Sequence, residues 1–122
     1  KAIINGKEQL IEGGDPTIVN AGAGRLLVTW PLKSVKGSLK IEFSEQQVKI
    51  SVIGGLNAKW FLDLNVAGNK KLPFTAIDQN KIAAQFEGMN YDLIAAKGKF
   101  SKPGEGSIFR ISPVDNVITL KL

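Results

Sequence analysis

The stretch SLKIEFSEQQVKISVI, residues 38–53, decides the fold. Its apolar residues recur at every second position on both sides of a polar tetrapeptide, Ser44-Glu45-Gln46-Gln47. Period-two alternation marks a half-buried strand, and two such runs about a short polar break read as a hairpin. With residues 44–47 as the loop, Phe43 faces Val48, Ile41 faces Ile50 and Leu39 faces Val52. On the opposite face Glu42 lies across from Lys49, a favourable cross-strand charge pair. A slip of one residue would turn every apolar side chain to solvent, so the register is well specified.

The same logic extends along the chain. Turn signals recur about every ten residues. They include Gly13-Gly14-Asp15-Pro16, Ala21-Gly22-Ala23-Gly24, Gly54-Gly55, Gly68-Asn69, Gly88 and the run from Lys102 to Gly106. Between them lie short runs rich in Val, Ile, Leu and Phe, over residues 25–30, 38–44, 47–53, 56–66, 72–77, 82–87, 90–97, 107–112 and 116–122. A second hairpin follows if residues 87–90 form its loop, with Phe86 facing Tyr91, Ala84 facing Leu93 and Ile82 facing Ala95. The C-terminal run places Ile118, Leu120 and Leu122 on one side and Thr119 and Lys121 on the other. The segment from Asp78 to Gln85 lacks an apolar stripe at helical spacing and reads as a turn entering a strand. The expectation is an all-β, antiparallel β-sandwich of about nine to ten short strands. A flattened β-barrel is the alternative, and an OB-type barrel would need fewer, longer strands.

No repeat, linker or low-complexity tract divides the 122 residues, so the chain reads as a single domain over 1–122. It opens KAIINGKEQL, without an initiator Met or a signal pattern. We therefore expect a processed protein or a module of a larger one, exported by a bacterium and secreted, periplasmic or on the cell surface. No apolar run approaches the roughly 18 residues of a membrane-spanning helix.

Composition narrows the chemistry. The chain has no histidine and no cysteine. That removes His-based triads, HExxH zinc sites, thiol catalysis, thiolate metal sites and disulfides. Catalysis would have to run on carboxylates, Lys or Tyr, and Asp63, Asp78, Glu87 and Asp92 are the candidate acids on strands or loops. Nothing in their spacing singles out the pair that a glycosidase needs. Asp63 with Asn65, and Asp78 with Asn80, offer oxygen ligands of the kind Ca²⁺ takes. Without an EF-hand pattern they read better as local hydrogen-bonding residues, so we expect no metal and no cofactor. Gly22-Ala23-Gly24 contains a GxG, but a strand follows it rather than a helix, and a hairpin turn is the better reading.

The net charge is +5, with 16 basic residues against 11 acidic ones. Only Arg25 and Arg110 are arginines, and the lysines are scattered from Lys1 to Lys121. Nucleic-acid readers favour arginine forks and clustered charge, so nucleic acid is a disfavoured partner.

The aromatic residues remain as the functional lead. In NAKWFLDLNV, residues 57–66, alternation groups Trp60 with Ala58, Leu62 and Leu64, and sends them inward. Lys59, Phe61, Asp63 and Asn65 form the other face, and we take these four as the candidate ligand-binding residues. Phe61 is either an exposed ring able to meet a sugar or a partner domain, or a ring covered by a second sheet or loop. On this reading Trp60 supports stability and Phe61 supports binding. The expected function is that of a non-catalytic accessory module whose partner is a glycan or an adjacent domain of a longer chain. A basic β-domain binding nucleic acid and a small carboxylate-dependent hydrolase are the alternatives. The step from sandwich to carbohydrate is an analogy of fold.

Overall fold

In the computed structural model, which describes residues 1–4, 6–33, 35–54, 58–65, 74–86, 88–102 and 108–121, every regular element is a strand. The strands are β1 (Ala2–Ile4), β2 (Lys7–Gln9), β3 (Thr17–Gly22), β4 (Arg25–Pro31), β5 (Ser38–Phe43), β6 (Gln47–Ile53) and β7 (Lys59–Trp60). They continue as β8 (Leu62–Asn65), β9 (Phe74–Ile77), β10 (Lys81–Phe86), β11 (Met89–Lys97), β12 (Lys99–Ser101), β13 (Ile108–Ser112) and β14 (Val117–Lys121).

Residues 38–53 form the expected hairpin. Phe43 pairs with Val48, Ile41 with Ile50, Leu39 with Val52 and Glu42 with Lys49. The hairpin lies within an eight-stranded antiparallel sheet of order β3-β4-β5-β6-β14-β11-β10-β9. A register-aligned row of β-branched side chains crosses five of its strands: Ile18, Val28, Ile41, Ile50 and Ile118. Ile118 at the sheet centre is fully buried, Ile50 and Val28 are buried and Ile41 is half-buried, and only Ile18 on the edge strand β3 is exposed.

Two three-stranded sheets, β2-β1-β7 and β12-β13-β8, accompany the large one. Ala2, Trp60, Phe100, Phe109 and Ile111 from these small sheets share one hydrophobic cluster with Ile50, Ile82, Ala95, Ile118 and Leu120 from the large sheet. The Phe100 and Phe109 rings meet edge to face at 6.4 Å between centroids. The sheets do not close into a barrel, and the architecture is a β-sandwich.

The described strands number fourteen, more than nine to ten, for three local reasons. Residues 2–22 contribute β1, β2 and β3, which lack a clear alternation. The run 56–66 divides at Phe61, where the chain passes from one small sheet to the other. The run 90–97 continues beyond Gly98 into β12, so that the chain changes sheets there too. Gly98 takes φ +115°, and a Cβ on it would stand 3.1 Å from the Ser112 carbonyl oxygen. A side-chain-bearing residue would be strained at this corner.

The second hairpin keeps its expected facing but not its register. Ile82 pairs with Leu93, Ala84 with Tyr91 and Phe86 with Met89, an offset of two residues that shortens the loop to Glu87 and Gly88. An even offset leaves every side chain on its original face, so the apolar pattern alone cannot choose between the two loops. Glu87 itself lies outside the described residues, as does Leu122.

The GxG segment is a hairpin turn. Gly22 pairs with Arg25, and Ala23 and Gly24 between them take φ +51° and +73°, the pattern of a tight turn with two left-handed residues. Asp78 enters β10 through a local turn, its Oδ1 accepting the backbone N–H groups of Asn80 and Lys81, both at 2.8 Å.

The centre of the row is the place to test this packing. Ile118→Val should cost about 0.5–1.5 kcal/mol and Ile118→Ala about 2–5 kcal/mol, read from urea unfolding midpoints. Equal midpoints for the three proteins would show that the face is not packed at Ile118.

Candidate functional site

Trp60 ends β7 and Phe61 follows it between the two small sheets. Trp60 points inward as the alternation requires, with 6% of its surface exposed. For Phe61 the covered alternative holds, because only 5% of its surface is exposed. The ring is covered, and the cover is Arg110. The guanidinium carbon of Arg110 stands 3.6 Å from the centroid of the Phe61 ring, a cation–π contact.

Arg110 reaches this position because β13 pairs antiparallel with β8, placing Arg110 directly opposite Asp63. Its Nε donates to Asp63 Oδ1 at 2.8 Å and its Nη2 donates to Asp63 Oδ2 at 3.1 Å. On the other side Nη1 donates to Glu8 Oε1 at 2.9 Å and Nη2 approaches Glu8 Oε2 at 3.4 Å. Two carboxylates from two different sheets thus share one planar fork, the geometry for which arginine rather than lysine is suited. Lys1 Nζ lies 3.4 Å from Asp63 Oδ2. The Lys1 and Phe61 backbones also exchange hydrogen bonds, at 2.9 and 3.0 Å.

The electrostatics follow from this geometry. Hydrogen bonding from Arg110 holds the Asp63 carboxyl below its ordinary value, against an opposing push from burial. Asp63 in turn raises the pKa of Arg110 further above its already high value. The other arginine does the same work on the large sheet. Arg25 hydrogen-bonds Glu42, with Nε to Oε1 at 3.0 Å, and lowers the carboxyl pKa of Glu42. Lys49 stands opposite Glu42 as the alternation predicts, but it contributes only a smaller field beside Arg25.

A groove of about 800 Å³ opens beside this cluster. Trp60, Phe61 and Ile3 form part of its lining, together with Lys59, Arg110 and Ser112. Pro113, Asp115 and Asn116 continue it from the segment joining β13 to β14. That segment is held in one shape. Val114 and Val117 exchange two backbone hydrogen bonds, at 3.0 and 3.1 Å, around Asp115 and Asn116, which take φ +52° and +60°. Left-handed Asp and Asn are the non-glycine residues that tolerate such a turn. The Asn116 Oδ1 then accepts the indole N–H of Trp60 at 3.2 Å. Asp115 extends into solvent and meets Lys97 at 3.6 Å.

Of the four residues selected from the sequence, Lys59 and Phe61 line the groove, Lys59 exposed and Phe61 covered. Asp63 is joined to them through Arg110. Asn65 pairs with Ile108 at the end of β8, and its side chain lies outside the described residues. Glu8, Arg110, Ser112, Asp115 and Asn116 did not emerge from the alternation. The one sequence signal for Arg110 is its type, since both arginines of a lysine-rich chain bind carboxylates.

Of the other candidate acids, Glu87 lies outside the described residues, and Asp78 and Asp92 have local partners. Asp78 serves its turn and Asp92 pairs with Lys81 at 3.2 Å. Among the described residues no group of three or more Asp, Glu, His or Cys could hold a metal ion, and no helix is long and apolar enough to cross a membrane. No family model, curated protein or solved structure matches the chain.

Two outcomes follow from the burial of Phe61 and the pairing of Asp63. Phe61→Ala should cost roughly 3–5 kcal/mol in urea unfolding, as much as Trp60→Ala, because both remove a buried ring. Retention of full stability by Phe61→Ala would place the ring in solvent. The depressed pKa of Asp63 means that its contribution is fully present above the unfolded carboxyl value of about 3.9 and is lost as pH falls through the lower folded value. The stability gap between the wild type and Asp63→Asn should therefore be widest near neutral pH and close under acid. A gap independent of pH would dismiss the pair as its source.

Proposed function

We propose that this chain is a non-catalytic binding module and that its ligand enters the groove beside Arg110. The observation that carries the reading is the composition of that groove. Lys59, Ser112, Asp115 and Asn116 bring hydrogen-bond donors and acceptors of mixed charge around an apolar floor. A concave site with a few convergent polar groups over apolar side chains is the usual form of a small-molecule or oligosaccharide site.

The ligand class follows from what is free to bind. Arg110 is already engaged by two carboxylates, so the groove lacks the open arginine fork that a phosphate or carboxylate would seek. Trp60 and Phe61 are too deeply buried to offer a ring face for stacking. The best occupant is an uncharged polyhydroxylated ligand, a glycan segment, held edge-on by hydrogen bonds. A surface loop of an adjacent domain in a longer chain is the competing occupant. We place the module outside the cytoplasm, secreted, periplasmic or on a bacterial cell surface, where a chain without cysteine has no thiol to oxidise. An enzymatic role gains nothing from the site, since Asp63, Asp78 and Asp92 are each occupied by structural partners.

A glycan array followed by calorimetry on the best hit tests the proposal. Lys59 is exposed, and Lys59→Ala should leave the fold intact while removing a charge-assisted hydrogen bond of about 1.5 kcal/mol, a roughly tenfold loss of affinity. An empty array ends the carbohydrate version. Binding that survives Lys59→Ala unchanged moves the ligand out of the groove.

A further inference from the structure

The large sheet ends on one side at β3, and this edge differs from the others. On the small sheets the edge strands β2, β7 and β12 carry exposed charges, Lys7 and Glu8, Lys59, and Lys99, and the remaining edge strand β8 is only four residues long. Charged side chains on an edge are a standard defence against unwanted strand pairing. The far edge of the large sheet, β9, is only four residues long and meets β10 through a register shift. β3 has neither protection along its regular part. Thr17–Gly22 reads TIVNAG, without charge or proline, and every residue in it is exposed. Ile18 is 64% and Val19 48% exposed. Among the described residues its outer side meets no strand.

We propose that β3 pairs antiparallel with β3 of a second copy of this chain, joining two eight-stranded sheets about a twofold axis at Ile18. Three observations select a second copy in this register. The ladder from Thr17 to Asn20 is regular, and the register shift begins beyond Asn20. A dyad at Ile18 pairs Thr17 with the partner's Val19 inside the regular part and ends where Pro16 meets the partner's Asn20, whereas a dyad at Val19 would draw Ala21, in the shifted part, into the seam. Facing side chains in an antiparallel pair point to the same side. Ile18 meets the partner's Ile18 and prolongs the row Ile118, Ile50, Ile41, Val28, Ile18 into the second molecule.

Charge supplies the third observation. In a chain of net charge +5 a seam between like copies must avoid opposed lysines, and this strand contains none. The contact is isologous, as expected for a closed dimer, and its backbone bonds are those of strand addition at a sheet edge. The dimer is independent of the groove and leaves Lys59 and Asn116 open.

The test uses the full chain and the absence of native cysteine. Light scattering behind size exclusion should give the dimer mass for the wild type and the monomer mass for Ile18→Lys, which sets two like charges face to face. Opposed residues of the pair have Cβ atoms about 4.5–5.5 Å apart, near the reach of a disulfide. Ile18→Cys should therefore oxidise readily to a covalent dimer, and Val19→Cys, offset from its own copy, should cross-link far less. A monomer mass at all concentrations, a dimer that survives Ile18→Lys, or equal cross-linking by the two cysteine variants would each overturn the proposal. Circular dichroism on the variants separates loss of dimer from loss of fold.

Discussion

One apolar sheet face, kept in register across strand after strand, is the constraint on which this molecule depends. Antiparallel pairing sets Val28, Ile41, Ile50 and Ile118 side by side. A single slip in any ladder would expose that strand's entire apolar set. The small sheets pack where the face is most continuous, over β6, β14, β11 and β10, and they supply Trp60, Phe100, Phe109 and Ile111 to the common core. With no cysteine in the chain, this interdigitation stands in place of any disulfide between the layers.

Arg110 turns that packing into a site. It sits on β13, opposite Asp63 on β8, and also donates to a second carboxylate, Glu8 on β2, so one side chain ties the two small sheets together. The same guanidinium covers Phe61. An arginine held on both sides by carboxylates is a structural clamp rather than a ligand-seeking group. The remaining polar lining of the groove comes from its rim, from Lys59 on β7 and from the rigid turn at Asp115 and Asn116.

Much of the fold was legible because it is written in local alternation. The hairpin at residues 38–53 has its expected register to the residue, and Ile118, Leu120 and Trp60 point inward as their neighbours imply. The turn at Ala23 and Gly24 could be read for the same reason. What stayed hidden was non-local or degenerate. Phe61 was ambiguous because its cover comes from Arg110, on a strand far along the chain. The 82–93 hairpin admitted two loops that differ by an even number of residues and bury the same face. β2 and β3 were invisible as strands since neither has a buried side, so that neither carries a period.

The position of β14 has a consequence for how the molecule is made. It lies in the middle of the large sheet, between β6 and β11, yet it follows both of them in the chain. The β3–β6 and β9–β11 meanders can each form from neighbouring segments, but they have no common strand until residues 117–121 are synthesised. During translation β6 and β11 must therefore wait with bare edges, and β6 carries the β-branched run of VKISVI. Late closure by long-range pairing is slow, and it leaves such edges open to a chaperone or to a neighbouring chain.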